Sequence, residues 1–352
     1  MKLRCTINEL ETLIPTIGQE LTPIIQSEAG CGKTSLLKTI EKKLGDKYDY
    51  IYVDCPVKDM SDIAMTIPNH ETKTLESYVG SLFKLDNDKP KVILLDEFMK
   101  SPKLLQVIFT RLMLERTVGD TPLPEGSIVF GTSNNQADGL GDTMMAHAGN
   151  RVCIVEMQKP EVEDWLVWAT ENGVSPLIRA FVHTFPRCLA SYRDEGQEDN
   201  PYIFNPKKPV LSFVSPRSLE KASVIVSNRD KLGDNATMVA LAGTIGQSAS
   251  ADMSAFLRLE KELPTFDNIL KEPESTQVPE SISAQLMLMF QAVDKIKQQS
   301  DLTAFMKFVN RMASNEIQAI FFTMMMKNSR TVKIARGNKE ISDWAVDNFN
   351  IM

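Results

Sequence analysis

Histidine is scarce in this chain of 352 residues. The three present, His70, His147 and His183, show neither metal-ligand spacing nor a catalytic triad. The five cysteines, Cys5, Cys31, Cys55, Cys153 and Cys188, are odd in number and scattered, with no Cys-x-x-Cys. That excludes a disulfide framework and points to reduced, mostly buried thiols. Positive charge is short as well: the formal net charge is -7. A broad, sequence-blind grip on DNA or RNA needs a positive face, so only a local basic channel in an oligomer stays open. No alternation of basic and aromatic residues marks a nucleic-acid platform. Long apolar runs are missing too. The N-terminal MKLRCTINELETL has no apolar signal core, and IQAIFFTMMM is too short to cross a bilayer. Neither export nor membrane insertion is expected.

What is present reads as a globular protein. Hydrophobic residues make up 43% and charged residues 24%, and the length exceeds what one core usually holds, so two or three domains are expected. Residues 1–20 read as a helical lead-in. Five apolar runs read as strands: Thr22–Gln26, Tyr48–Cys55, Lys91–Glu97, Ser127–Asn134 and Arg151–Met157. Between the first two, Leu36, Leu37, Ile40 and Leu44 fall on one helical face. Unbroken β-branched runs alternating with helical stretches predict a five-stranded parallel sheet covered on both faces. After Pro160 the strands stop. Ser215 and Pro216 are placed to cap and start a helix, and the polar KEPESTQVPES, Lys271–Ser281, reads as a linker. The Met-rich QLMLMF and FFTMMMK read as helix core, with an adaptable partner-binding face as the alternative. The basic cluster Lys327–Lys339 reads as a solvated face, with phosphate contact as the alternative.

The first strand runs into SEAGCGKTS, residues 27–35. This is the phosphate-loop pattern G-x-x-x-x-G-K-[ST] in every position but the first, where serine stands for glycine. A strand, a Gly-rich turn and a helix start are the context that loop needs. Ser27, Glu28, Ala29, Gly30, Cys31, Gly32, Lys33, Thr34 and Ser35 are the candidate nucleotide-binding residues, their backbone N–H groups facing the phosphates at the positive end of the helix dipole. Lys33 is expected to reach the β and γ phosphates of ATP, and Thr34 to give its hydroxyl to Mg²⁺. Ser27 is tolerable there if its φ is negative. On this motif alone, a Gly-rich turn with an exposed lysine is the alternative.

The third strand ends in Asp96 and Glu97, at the edge where open parallel sheets bind ligands. Asp96 is expected to hold the Mg²⁺ through water, and Glu97 to orient and polarise the attacking water. Alone, the pair would read as solvated acids at a strand end. Downstream of a phosphate loop it reads as the second half of a hydrolytic site.

Taken in order, SEAGCGKTSLLKTI, VILLDEF, SPKLLQVIFTRLMLERTVGDTPLPEGSIVFGTSNN and SPRSL resemble the motifs of AAA+ ATPases, and within them the MoxR-type branch. ERTVGDTPLPEG is similar to that family's pre-sensor hairpin, and the segment from Val57 to Leu85 stands where the branch carries its helix-2 insertion. The ordered match runs from Pro23 to Asn228; the helical remainder fits phage and bacterial MoxR-like chains more loosely. The resemblance implies an α/β AAA+ P-loop NTPase core over residues 1–158, an α-helical lid over 159–270 and an α-helical C-terminal extension over 271–352. It implies Asn134 as sensor 1, with Asn135 as the fallback, Arg217 as sensor 2, and Arg151 as the finger that reaches a neighbouring subunit's nucleotide. Around Arg151 the chain departs from the family: Asn150 and Val152 stand where an acidic or polar residue and an aromatic are usual. Read without the family, Asn134 is a turn cap, and Arg151 and Arg217 are surface arginines.

ATP and Mg²⁺ are the implied cofactors. A finger acting in trans implies a closed homo-oligomer, a hexameric ring in the family. The implied activity is a ring ATPase that remodels or activates a protein partner, chaperone-like, often beside a von Willebrand factor A-like protein. The implied location is the bacterial cytoplasm or that of a phage-infected host. Two rivals stay open: a nucleic-acid motor of the MCM-like type, and a nucleotide-gated scaffold with slow hydrolysis, which Ser27 would favour. Met65–Ser77 and Gly119–Gly126 are the candidate substrate-gripping segments, and Tyr78 and Phe83 are expected to pack inside.

Overall fold

The structure is a computed structural model that describes residues 3–134, 151–312 and 314–347. The chain divides into two compact units, Met1–Pro160 and Glu161–Met352.

The first unit holds the described strands: β1 (Pro23–Ser27), β2 (Asp49–Asp54), β3 (Ala64–Asn69), β4 (Thr74–Val79), β5 (Lys91–Asp96), β6 (Thr117–Val118), β7 (Thr121–Pro122), β8 (Ile128–Asn134) and β9 (Cys153–Glu156). Five of them form one sheet in the order β2-β5-β8-β1-β9, and every neighbouring pair is parallel. Each predicted strand is present within two residues of its expected ends. With the phosphate loop between β1 and a helix, this is the α/β P-loop NTPase fold, followed by a helical region.

The layering explains why the strands read as unbroken apolar runs. Helices α1 (Ile7–Ile17) and α2 (Ser35–Leu44) cover one face; a four-residue α3 (Met60–Ile63) precedes β3, and α4 (Lys103–Glu115) covers the other face. Along β5, Val92 and Leu94 pack with Leu10, Ile14, Leu36 and Ile40, while Ile93 and Leu95 pack with Leu105, Phe109 and Leu112. All four are fully buried, each contributing about 1.5–3 kcal/mol relative to exposure. A strand wetted on one face would have alternated apolar with polar residues.

Two hairpins stand off this sheet. β3 and β4 pair antiparallel across Met65–Tyr78 and Ile67–Glu76, and β6 and β7 form a two-residue ladder. They meet at Gly119, whose φ of 58° lies in the left-handed region. A Cβ there would stand 2.7 Å from the Ser77 hydroxyl and 3.2 Å from the Ala64 methyl. Phe83 is fully buried, as expected, but Tyr78 is not: it is 54% exposed. The reason is register. Tyr78 shares a hairpin face with Met65 and Ile67, which are also exposed, while the opposite face meets the second hairpin.

The second unit is helical. Its core runs without a break from Trp165 to Ile341, joining the helix Pro176–Thr184 to Ile282–Lys295 and Asn315–Lys327. Residues 272–281 form a loop, so the expected linker is a loop, but the residues on its two sides share one core. Arg179, with no exposed surface, ties the helices together. Its guanidinium donates to Thr170 Oγ1 at 2.9 Å and to the Phe290 carbonyl at 3.3 Å, pairs with Asp294, and lies over the Phe290 ring. Among the described residues no helix is long and apolar enough to cross a membrane.

Candidate active site

The loop between β1 and α2 is set by two glycines. Gly30 and Gly32 have φ of 77° and 92°, values that side chains with a Cβ rarely adopt. Ser27 needs no such freedom. It is the last residue of β1, fully buried, paired in register with Asn134, and absent from the positive-φ residues. Its hydroxyl is in use: it accepts from Lys33 Nζ at 3.1 Å and donates to the Glu28 carbonyl at 3.0 Å. A serine at this position therefore adds an acceptor for the loop lysine and strains nothing. Ala29 and Gly30 are half-buried, and Ser35 turns its hydroxyl back to the Gly32 carbonyl at 2.6 Å. Burial pushes the Cys31 thiol up to about 11, so the loop cysteine is a protonated filler and not a nucleophile.

Lys33 and the acidic strand end are joined through Asn134. Lys33 Nζ donates to Asn134 Oδ1 at 2.8 Å and to the Ser27 carbonyl at 3.1 Å; Asn134 Nδ2 donates to Glu97 Oε1 at 3.2 Å. The other Glu97 oxygen pairs with Lys100 at 2.7 Å. Glu97 itself is left-handed, φ 50° and ψ 35°, and its N–H donates to Thr132 Oγ1 at 3.1 Å. A non-glycine residue held there is the kind of backbone cost that functional sites carry.

Asp96, 7% exposed, gathers three hydroxyl groups. Oδ2 accepts from Thr34 Oγ1 at 3.1 Å and from Tyr52 Oη at 2.9 Å, and Oδ1 accepts from Thr132. Thr34 is the N-cap of α2 but makes no side-chain cap, because its hydroxyl is committed to Asp96. Burial, with the Asp96 hydrogen bond added to it, pushes the Tyr52 phenol above its ordinary value and keeps it a donor. Thr34 and Asp96 thus offer a hydroxyl and a carboxylate, hard oxygen donors that suit Mg²⁺, which keeps water and phosphate as its other ligands. Among the described residues no group of three or more His, Cys, Asp or Glu could hold a metal ion.

Arg151 stands apart from this cluster. Arg151 is exposed in the turn before β9, and Cys153 pairs with Pro23, the first residue of β1. At about 3.3 Å per residue, Arg151 lies well over 10 Å back along the sheet from Ser27, at the opposite rim. Arg217 belongs to the second unit. It is exposed in the first turn of the helix Pro216–Ser227, which Ser215 caps and Pro216 starts, as the sequence predicts; Ser215 also forms a capping box with Ser218. Asn135 and Asn150 lie outside the described residues. The sequence reading missed Tyr52, Thr132 and Lys100. Tyr52 shares its β2 face with Asp54, which pairs with Asp96, so register could have found it.

Residues 24–118 match a family of viral superfamily 1 RNA helicase core domains, well under half of the chain. The stretch runs from β1 to β6 and takes in the loop, Tyr52 and the Asp96–Glu97 pair. No curated protein matches this chain. Similar solved structures include a candidate ATPase from Cytophaga hutchinsonii, at 17% identity over 71% of this chain and 88% of that one, TM-score 0.34. Thermotoga maritima RuvB, a Holliday junction branch migration motor, matches at 16% identity over 76% and 75%, TM-score 0.37. NtrX from Brucella abortus matches at 12% identity over 92% and 69%, TM-score 0.34.

Proposed function

We propose that this chain is an ATP hydrolase of the AAA+, MoxR-like type, working as a homo-oligomeric ring that remodels or activates a protein partner. One observation carries the catalytic half: Lys33, Asn134 and Glu97 form a hydrogen-bonded chain beside the Thr34–Asp96 contact. Lys33 would exchange the Ser27 carbonyl for phosphate oxygens. Asn134 would keep hold of Glu97 through its amide nitrogen, and Glu97 would take the proton of the attacking water while Lys100 steadies its other oxygen. Thr34 and Asp96 would hold Mg²⁺, which when bound supplies positive charge to the β and γ oxygens. Arg151, exposed at the far rim of its own sheet, suits service to a neighbour's site, and Arg217 would act from the helical unit.

The test is ATP binding and turnover in two variants. Lys33→Ala is expected to abolish binding, and Glu97→Gln to keep ATP while turnover falls by about 10²-fold or more. Glu97→Gln hydrolysing at the native rate would sink the assignment. Co-purification with the ATP-loaded Glu97→Gln variant is the route to the protein partner.

A nucleic-acid motor is the second reading, favoured by the RNA-helicase match over residues 24–118. That stretch holds the nucleotide residues, which motors of many kinds share, and the -7 net charge opposes it. Stimulation of hydrolysis by single-stranded RNA or DNA, weakening steeply with salt, would make it the better reading.

A further inference from the structure

Beside the phosphate loop lies an ion pair that the chemistry above leaves unused. Glu28 is the second residue of the loop, and Lys159 lies three residues past β9. Glu28 Oε2 and Lys159 Nζ are 2.9 Å apart, with the side chains 8% and 7% exposed. The sheet delivers the lysine: Gln26 pairs with Glu156, the Met157 N–H donates to the Gln26 carbonyl at 2.8 Å, and the Gln158 N–H donates to the Cys5 carbonyl at 2.9 Å. The chain therefore runs past the ligand edge of the sheet alongside the loop. Cys31, inside the loop, lies within electrostatic reach of Glu28, Lys33 and Lys159 together.

A loop shaped to hold an anion thus carries a buried carboxylate of its own. Left uncompensated, that carboxylate would repel every phosphate brought to it, and at low local dielectric the repulsion is large. Buried ion pairs are poor stabilisers, because desolvation offsets their attraction, so fold stability is a weak reason for this one. We propose that Lys159 is a positioning residue of the nucleotide site: it neutralises Glu28 and holds the carboxylate away from the phosphates, so that the loop accepts a polyphosphate. The proposal rests on reading residues 27–35 as a nucleotide loop and deepens it, because it ties affinity to the number of phosphate charges.

The experiment measures binding of a fluorescent ATP to the full chain, with ATP, ADP and AMP as competitors. Lys159→Met is expected to weaken ATP by at least about tenfold, ADP by less, and AMP by under about threefold. The double variant Glu28→Gln/Lys159→Met, which removes both charges, is expected to recover most of the ATP loss. An equal loss for all three nucleotides would mean that the pair only shapes the loop, and overturns the proposal. So does a double variant that fails to recover. If Lys159→Met does not fold, the double variant decides alone: near-native ATP affinity supports the proposal, and lost affinity overturns it. A native protein that binds none of the three, with Lys33→Ala no different, refutes the nucleotide site itself and this proposal with it.

Discussion

Asn134 sits between opposite charges. Its carbonyl end accepts from Lys33 and its amide end donates to Glu97. Lysine has no acceptor and an ionised carboxylate no donor, so the orientation of the amide is forced. Asn134→Asp keeps the first contact but sets a second carboxylate against Glu97. It is expected to lower kcat by about 10²-fold or more, with a much smaller loss in ATP affinity, read by steady-state hydrolysis beside equilibrium binding. Tyr52→Phe removes one of the two donors on Asp96 Oδ2 and leaves the ring in place. The expected result is a changed Mg²⁺ concentration for half-maximal hydrolysis at unchanged stability; an identical Mg²⁺ titration would show the phenol to be a bystander. Lys33, Thr34 and Asp96 were legible beforehand because each sits at a fixed offset within a short motif. Tyr52, Thr132 and Lys159 were not, because parallel pairing brings them to the site from strands distant in sequence.

Elements carry the next set of consequences. β5 was legible because both its faces are covered, whereas the face of Tyr78 was not, since apolar character alone does not say which side of a hairpin meets a neighbour. Where β2 and β5 begin, Asp49 pairs with the fully buried Lys91 at 2.8 Å and with Lys89 at 3.3 Å. The Lys91 hydrogen bond, ahead of every other cause, draws the Asp49 carboxyl from 3.8 down to about 2. The folded value lies below the unfolded one, so this contribution is whole above about pH 4 and is lost as pH falls towards 2. Asp49→Asn is expected to lower stability at neutral pH and to flatten the acid limb over that window, measured by denaturant unfolding at several pH values. Gly119→Val would force a β-branched residue into the left-handed region and onto Ser77. Hydrogen exchange is expected to quicken across β3 and β4 while β5 stays protected.

At the scale of the whole molecule, Arg151 stands at the rim opposite its own phosphate loop, so its variant should be silent in a lone subunit. In the proposed ring, Arg151→Ala is expected to spare ATP binding and to cut hydrolysis by about 10³-fold. Mixing it with the Lys33→Ala variant should restore part of the turnover, because each supplies what the other lacks. Within the helical unit, Asp294→Ala strands the buried Arg179 guanidinium and is expected to cost about 3–5 kcal/mol of unfolding free energy. A paired Arg179→Met/Asp294→Leu change should return most of it. The unbroken core from Trp165 to Ile341 has a genetic corollary. A stop codon after residue 270 would not yield a shorter working protein with a missing accessory. It would bare Arg179, which Phe290 and Asp294 cover, and Phe266, which packs on Phe305, and the truncated product would be cleared by the cell's quality-control proteases before it could take a place in any assembly.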